Sequence, residues 1–271
     1  MTRHLTVSGT RLAYRTLGDG PGLVLLHGTG PGSSTWNGVA ERFADRNTVI
    51  LPDLGGSDLV EDDGAPLTVE GLTEQLAAVI EDFGKAPVDL LGFSLGAVVV
   101  LSLAATRPEL VRRLIPVSGW AHTEDAYLRT ALQTWLGLAG NPDAFARFSM
   151  LTAFSPRYLN SLSPEDLESR ATYFQPHPNR LRQIDLGRRV DLRRLLPGVK
   201  APTLVVGAAR DGLIPVENSR ELHAAIPGSS YLELDTGHVS SAERPDDFVT
   251  LVRNFTPLVQ DFTPLARDAT A

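Results

Sequence analysis

Val88-Asp-Leu-Leu-Gly-Phe-Ser-Leu-Gly-Ala-Val-Val-Val100 is the stretch whose reading decides the fold. An apolar run (Val88, Leu90, Leu91) meets Gly92-Phe93-Ser94-Leu95-Gly96, and a second apolar run with helical spacing follows. The pattern predicts a strand, a sharp turn and a helix, with Ser94 at the apex. Glycines two before and two after the serine suit a turn too tight for Cβ atoms at those places. Such a turn lifts the Ser94 hydroxyl clear of a sheet. It also aims the Leu95 N–H, at the start of a helix, toward the place where charge develops on an attacked carbonyl. The motif alone arises by chance in many chains, so the rest of the sequence has to supply a base, an acid and a second donor.

On the N-terminal side, His4–Val7 and Arg11–Leu17 alternate around Ser8-Gly9-Thr10 and predict a hairpin. Leu23–Leu26 and Thr48–Leu51 are continuous apolar runs, as expected of strands buried on both faces of a parallel sheet. The first leads into the loop His27-Gly-Thr-Gly-Pro-Gly32 and the second into Pro52-Asp-Leu-Gly-Gly-Ser-Asp58. Ser33–Ala44 and Thr68–Phe83 read as helices. On the C-terminal side, Leu114–Val117, Pro202–Gly207 and Tyr231–Leu234 read as strands, and Pro215–Ile226 and Pro245–Phe255 as helices. Strands alternating with helices predict an α/β architecture whose parallel sheet carries helices on both faces.

Between Trp120 and Leu196 the alternation stops. Amphipathic pieces (124–138, 142–151, 164–174) are separated by Asn141-Pro142, Ser155-Pro156, Ser163-Pro164 and Pro176-His-Pro178, and the segment is rich in aromatics. It reads as a helical insertion over the carboxyl ends of the strands, a separate helical domain being the other reading. The expected organisation is a core of residues 1–119 and 197–260, an insertion at 120–196 and a loosely held tail at 261–271. Short helices of this kind leave apolar faces to cover a site, and Trp120, Tyr127, Trp135, Phe148 and Phe154 are the candidate substrate contacts.

The 271 residues, 42% hydrophobic, suffice for one large core, and the formal net charge of −7 with scattered Lys and Arg shows no footprint for nucleic acid. No cysteine is present, which excludes thiol catalysis, disulfides and thiolate metal sites. The longest apolar run, Leu95–Ala105, is too short to span a bilayer, and no His/Asp/Glu cluster has metal spacing. The N-terminus lacks the apolar core of a signal peptide. These features lead to the expectation of a soluble cytoplasmic protein that acts on a small molecule without metal or cofactor and apart from membranes. Oligomeric state is not readable from them.

In an open parallel sheet, reactive groups lie at the carboxyl ends of strands. Asp211 follows the strand ending at Gly207, and His238 follows the strand ending at Leu234. Taken singly, Asp211 reads equally as a turn-forming or capping residue, and His238 as a surface loop residue. Together with Ser94 they give the order Ser, Asp, His, in which His238 is the base for Ser94 and Asp211 orients the imidazole. Thr29, in the loop after Leu26, is the candidate second oxyanion donor through its backbone N–H, with Gly28 or Gly30 next. His27, Asp53 and Ser57 read as loop-bracing residues. Most arginines of the insertion (Arg129, Arg147, Arg157, Arg170, Arg180, Arg182) read as solvated helix faces, although any of them could meet an acidic substrate.

From Arg11 to Phe255 the chain resembles proteins of the α/β-hydrolase fold with a helical lid. The resemblance rests on Leu-Leu-His-Gly-Thr-Gly-Pro-Gly32, Pro-Asp-Leu-Gly-Gly-Ser-Asp58, Gly-Phe-Ser94-Leu-Gly, Ala-Pro-Thr-Leu-Val-Val-Gly207 with Asp211, and Thr-Gly-His238. It implies a mostly parallel central sheet flanked by helices, with the lid inserted before the last two strands. It also implies nucleophile, acid and base roles for Ser94, Asp211 and His238, and oxyanion donors at Thr29 and Leu95. The oxyanion loop is similar to that of carbon–carbon bond hydrolases of aromatic ring-fission pathways. Val239 after the base, Phe93 and Leu95 around the nucleophile, and the short 52–58 loop depart from that subfamily. The leading expectation is therefore a serine hydrolase of esterase type acting on a small, largely apolar ester, lactone or thioester. Carbon–carbon bond hydrolysis, a lyase or cyclase using the same residues, and a ligand receptor that kept the triad are the alternatives.

Overall fold

A computed structural model describes residues 1–58 and 60–256. The expected tail at 261–271 and the last core positions, 257–260, lie outside the described residues.

Eight strands form one sheet in the order β1-β2-β4-β3-β5-β6-β7-β8. They are β1 (Thr2–Val7), β2 (Thr10–Leu17), β3 (Gly22–Leu26), β4 (Thr48–Asp53), β5 (Val88–Phe93), β6 (Val111–Val117), β7 (Leu204–Ala208) and β8 (Ser230–Leu234). The hairpin β1–β2 and the β2–β4 pair are antiparallel, and every other pairing is parallel. The expected mostly parallel sheet is thus what the chain forms. The apolar runs in β3 and β4 are buried because helices cover both faces. Asp89 in β5 is buried by pairing: Arg112 donates to both of its oxygens, at 2.9 and 2.8 Å.

The core has two layers, one on each face of the sheet. Helices α1 (Val69–Phe83) and α2 (Leu95–Thr106) cover one face. Thr68 caps α1 by accepting the Gly71 N–H, and Gly84 ends it with φ +78°. Helix α2 is buried from Leu95 to Ala104, as its uniformly apolar sequence requires. The other face packs Trp36, Phe43, Phe248 and Phe255 against Leu25, Val49 and Val206.

The segment expected as a helix at 33–44 instead forms two 3₁₀ turns, Gly32–Trp36 and Ala40–Phe43. Asn37 leaves the first with ψ 134° and Gly38 follows at φ +80°, so the chain reverses where an apolar periodicity alone would carry it through.

Between β6 and β7 the chain forms α3 (Ala126–Gly137), α4 (Pro142–Ala153), α5 (Pro156–Leu159), α6 (Pro164–Ala171) and α7 (Pro178–Gly187). The proline dipeptides that read as breaks are helix starts. In α4 to α7 the proline occupies the first turn, and Asn141, Ser155, Ser163 and His177 cap the free N–H groups. Helix α7 was not foreseen. The last elements are α8 (Val216–Ala225), the short α9 (Ser240–Glu243) and α10 (Pro245–Phe255).

Candidate active site

Ser94 joins β5 to α2 with φ 55° and ψ −119°, a conformation that strains any residue with a side chain. The flanking glycines make the turn possible. A Cβ on Gly92 would lie 2.3 Å from the Gly96 carbonyl oxygen, and one on Gly96 would lie 2.4 Å from that of His27. The Ser94 N–H donates to Val117 O at 2.9 Å, which anchors the apex to the neighbouring strand.

His238 and Asp211, far apart in sequence, converge on this serine. His238 Nε2 lies 2.9 Å from Ser94 Oγ, and His238 Nδ1 lies 2.6 Å from Asp211 Oδ2. The other Asp211 oxygen accepts the Leu213 and Ile214 N–H groups at 2.9 and 2.8 Å. One oxygen of Asp211 therefore makes the turn contacts while the other faces the imidazole. The side chains of Asp211 and His238 are 1% and 5% exposed, so their bond is screened little by water. With Asp211 accepting from Nδ1–H, Nε2 keeps its lone pair toward the serine. The Phe93 ring, 4.8 Å from the imidazole centroid, packs against its side.

The loop after β3 lies against Ser94, since a Cβ on Gly28 would fall 2.9 Å from that of the serine. His27 braces it, with Nδ1 2.7 Å from Gly28 O and Nε2 accepting the Leu54 N–H at 3.3 Å. Burial pushes the His27 imidazole below its ordinary pKa, in keeping with an Nε2 that accepts from the Leu54 N–H and lies 3.0 Å from Ser57 Oγ. Asp53 accepts the N–H and hydroxyl of Ser33, while Ser57 Oγ donates to Leu54 O, so both brace their loops. The Leu95 N–H is the first of α2 and has no acceptor within the helix. No described backbone or side-chain acceptor takes the Thr29 N–H, whereas that of Gly30 is donated to Gln183 Oε1 at 2.8 Å.

A cavity of about 480 Å³ opens beside these groups. Thr29, Phe93 and Val239, each next to a site residue, line one side, and the insertion lines the other. Of the five aromatics expected there, Trp135 and Phe154 line the cavity. The other three lie elsewhere. Trp120 is buried and donates to Thr123 Oγ1 near the end of α7, and Phe148 packs on the core. Tyr127 is 54% exposed, and its hydroxyl donates to Gly212 O beside Asp211.

Tyr173 and Phe174, absent from the candidate contacts, line the cavity too, as do Arg170 and Arg180 from the arginines of the insertion. Two arginines correct the reading of solvated helix faces. Arg180 is 3% exposed and donates to Asp58 Oδ2 at 2.6 Å and to Gln175 O at 2.7 Å. Arg182 donates to Asp62 at 2.7 Å. Their carboxylate partners lie some 120 positions away in sequence, beyond any local pattern.

Among the described residues, no group of three His, Asp or Glu side chains could hold a metal ion, and no helix is long and apolar enough to cross a membrane.

Known proteins share this arrangement of chain. The sequence model of the alpha/beta hydrolase fold matches residues 21–245. A pyrrolizixenacetamide deacetylase of Xenorhabdus hominickii is 33% identical over 254 residues, which are 92% of this chain and 96% of that one. The enol-lactonase of Burkholderia xenovorans LB400 superposes with a TM-score of 0.83 at 25% identity, over 93% of this chain and 99% of that one. MGS-M2, an alpha/beta hydrolase from a Medee basin deep-sea metagenome library, gives 0.87 at 21% identity, over 96% and 100%, and bears on the fold alone. With a sheet order, an elbow and a matched span that all agree, the chain belongs to the α/β-hydrolase family.

Proposed function

We propose that the protein is a serine hydrolase that transfers the acyl group of a small, largely apolar ester, lactone or thioester to water. The observation that carries this reading is the buried hydrogen-bonded line Asp211–His238–Ser94, which ends beside the cavity. In the proposed cycle His238 Nε2 takes the Ser94 proton as Oγ attacks the acyl carbon. The Leu95 and Thr29 N–H groups receive the oxyanion, and the imidazolium returns its proton to the leaving oxygen or sulfur. Water, activated by the same imidazole, then releases the acid from the acyl-serine. Asp211 keeps the productive tautomer throughout. Residues 120–196 act as a lid that supplies the substrate-facing wall, and the protein works in the cytoplasm without a cofactor.

Two relatives support this chemistry, since a deacetylase and an enol-lactonase both carry out acyl transfer by name. The deacetylase also favours a second reading, in which the leaving group is an amine and the substrate a small acetamide. Treatment with a fluorophosphonate, followed by peptide mass spectrometry, should find the adduct on Ser94. Turnover of p-nitrophenyl acetate against a matched acetanilide separates the two readings. An unlabelled Ser94 with no turnover of either substrate would overturn both.

A further inference from the structure

Thr29 sits between two peptide planes, and each plane is held by a different part of the molecule. The Gly28–Thr29 plane is held through Gly28 O by His27 Nδ1, at 2.7 Å, from the end of β3. The Thr29–Gly30 plane is held through the Gly30 N–H by Gln183 Oε1, at 2.8 Å, from α7 of the insertion. The Gly30 carbonyl in turn accepts the Asp58 N–H at 3.2 Å. Because each peptide is planar with C=O and N–H opposed, two held planes leave the Thr29 N–H little freedom of direction. Gln183 is 1% exposed, and among the described residues the one hydrogen bond to its Oε1 is that from Gly30. A buried amide costs free energy unless it is bonded, so packing alone would be served as well by an apolar residue of this length.

We propose that Gln183 is a positioning residue for the oxyanion hole. It occupies the Gly30 N–H and thereby leaves Thr29, on a fixed peptide, as the donor that works with Leu95. The insertion then does more than cover the substrate, because one of its side chains sets the geometry of a group that stabilises the transition state. This inference rests on the acyl-transfer reading above.

The test compares the full-length wild type with Gln183→Met, which keeps length and loses the acceptor. Steady-state rates are taken with p-nitrophenyl acetate, beside inhibition by an alkyl trifluoromethyl ketone, which adds Ser94 and places an oxyanion in the hole. The expected result is a kcat lower by roughly tenfold to a hundredfold with KM within about twofold, and ketone affinity weaker by the same factor. Unchanged kcat and ketone affinity, or a loss carried by KM alone, would overturn the assignment of Gln183. Should the variant not fold, amide exchange in the wild type decides. Gly30 N–H is expected to be protected and Thr29 N–H to exchange until the ketone is bound. A freely exchanging Gly30, or a Thr29 that the ketone leaves unprotected, overturns the proposal. A wild type inert to both ester and ketone would sink the acyl-transfer reading and this inference with it, whereas an active wild type with an indifferent Gln183→Met sinks the inference alone.

Discussion

The Glu243 carboxylate holds Ser155 twice, accepting its backbone N–H at 2.6 Å and its hydroxyl at 2.8 Å. Ser155 caps α5 in the insertion, and Glu243 ends α9, just past the loop that carries His238. That loop is pressed onto the insertion: a Cβ on Gly237 would lie 2.4 Å from Ser155 N, and the Val239 N–H donates to Ala153 O at 3.1 Å. Tyr127 makes the corresponding link to the Asp211 loop through Gly212 O. The insertion is therefore fastened to the loops on which His238 and Asp211 sit.

Glu243→Ala should cost about 2 kcal/mol, since it leaves a partly buried N–H and hydroxyl without their charged acceptor. Thermal melting should fall by roughly 4–8 °C and ester turnover should fall with it. Glu243→Gln keeps an acceptor and should recover most of both. A melting temperature unmoved by the alanine change would show that the link carries no load.

Ser94→Ala should lower turnover by roughly 10⁴–10⁶ and abolish phosphonate labelling. Asp211→Asn should cost on the order of 10⁴, because an amide in place of the Oδ2 acceptor favours the wrong His238 tautomer. Single-turnover rates measure both. Near-full activity in Ser94→Ala would move the chemistry away from acyl-serine formation.

Stability should depend on pH through His27. Its folded pKa is depressed by burial, so the unfolded chain takes up a proton that the folded ring resists. The contribution is fully present above the unfolded value, about 6.5, and is lost as pH falls from there toward the folded value. The slope from this one group is at most about 1.4 kcal/mol per pH unit. Urea midpoints at pH 7.5 and 5.5 should differ more in the wild type than in His27→Gln, and equal differences would show that the ring is not held neutral.

Substrate preference should respond to Trp135 and Phe154 and not to Trp120. Truncating either cavity residue to Ala should change the kcat/KM ratio between a short and a bulky ester by about tenfold to two-hundredfold. Trp120→Phe should leave that ratio alone and register only in thermal melting. A ratio that moved with Trp120 and not with the other two would misplace the pocket.

Most of the sheet was legible because its strands are continuous apolar runs ended by glycine-rich loops, and the elbow because its glycines are demanded by close contacts. Ser94, Asp211 and His238 could be chosen from the glycine-flanked turn, the strand ends and their order in the chain taken together. The pocket wall could not. Tyr173 and Phe174 close the piece that reads as helical at 164–174, but they sit in a 3₁₀ turn after α6, so a helical period does not tell which way they face. Arg180 reads as a solvated helix face and Gln183 carries no signal in the sequence, because what buries each is a partner on a distant loop. The helix expected at 33–44 failed for a local reason, the reversal at Asn37 and Gly38.

The backbone at Ser94 gives a way to ask whether the chain is still employed as a catalyst. At φ 55° and ψ −119° glycine would rest at ease, so Ser94→Gly should make the protein more stable, by about 1–3 kcal/mol, while removing the hydroxyl. A receptor built on this scaffold would have every reason to accept that exchange and nothing to lose by it. Folding alone disfavours the serine, so its presence at a strained corner of the chain is itself an argument that the hydroxyl is used.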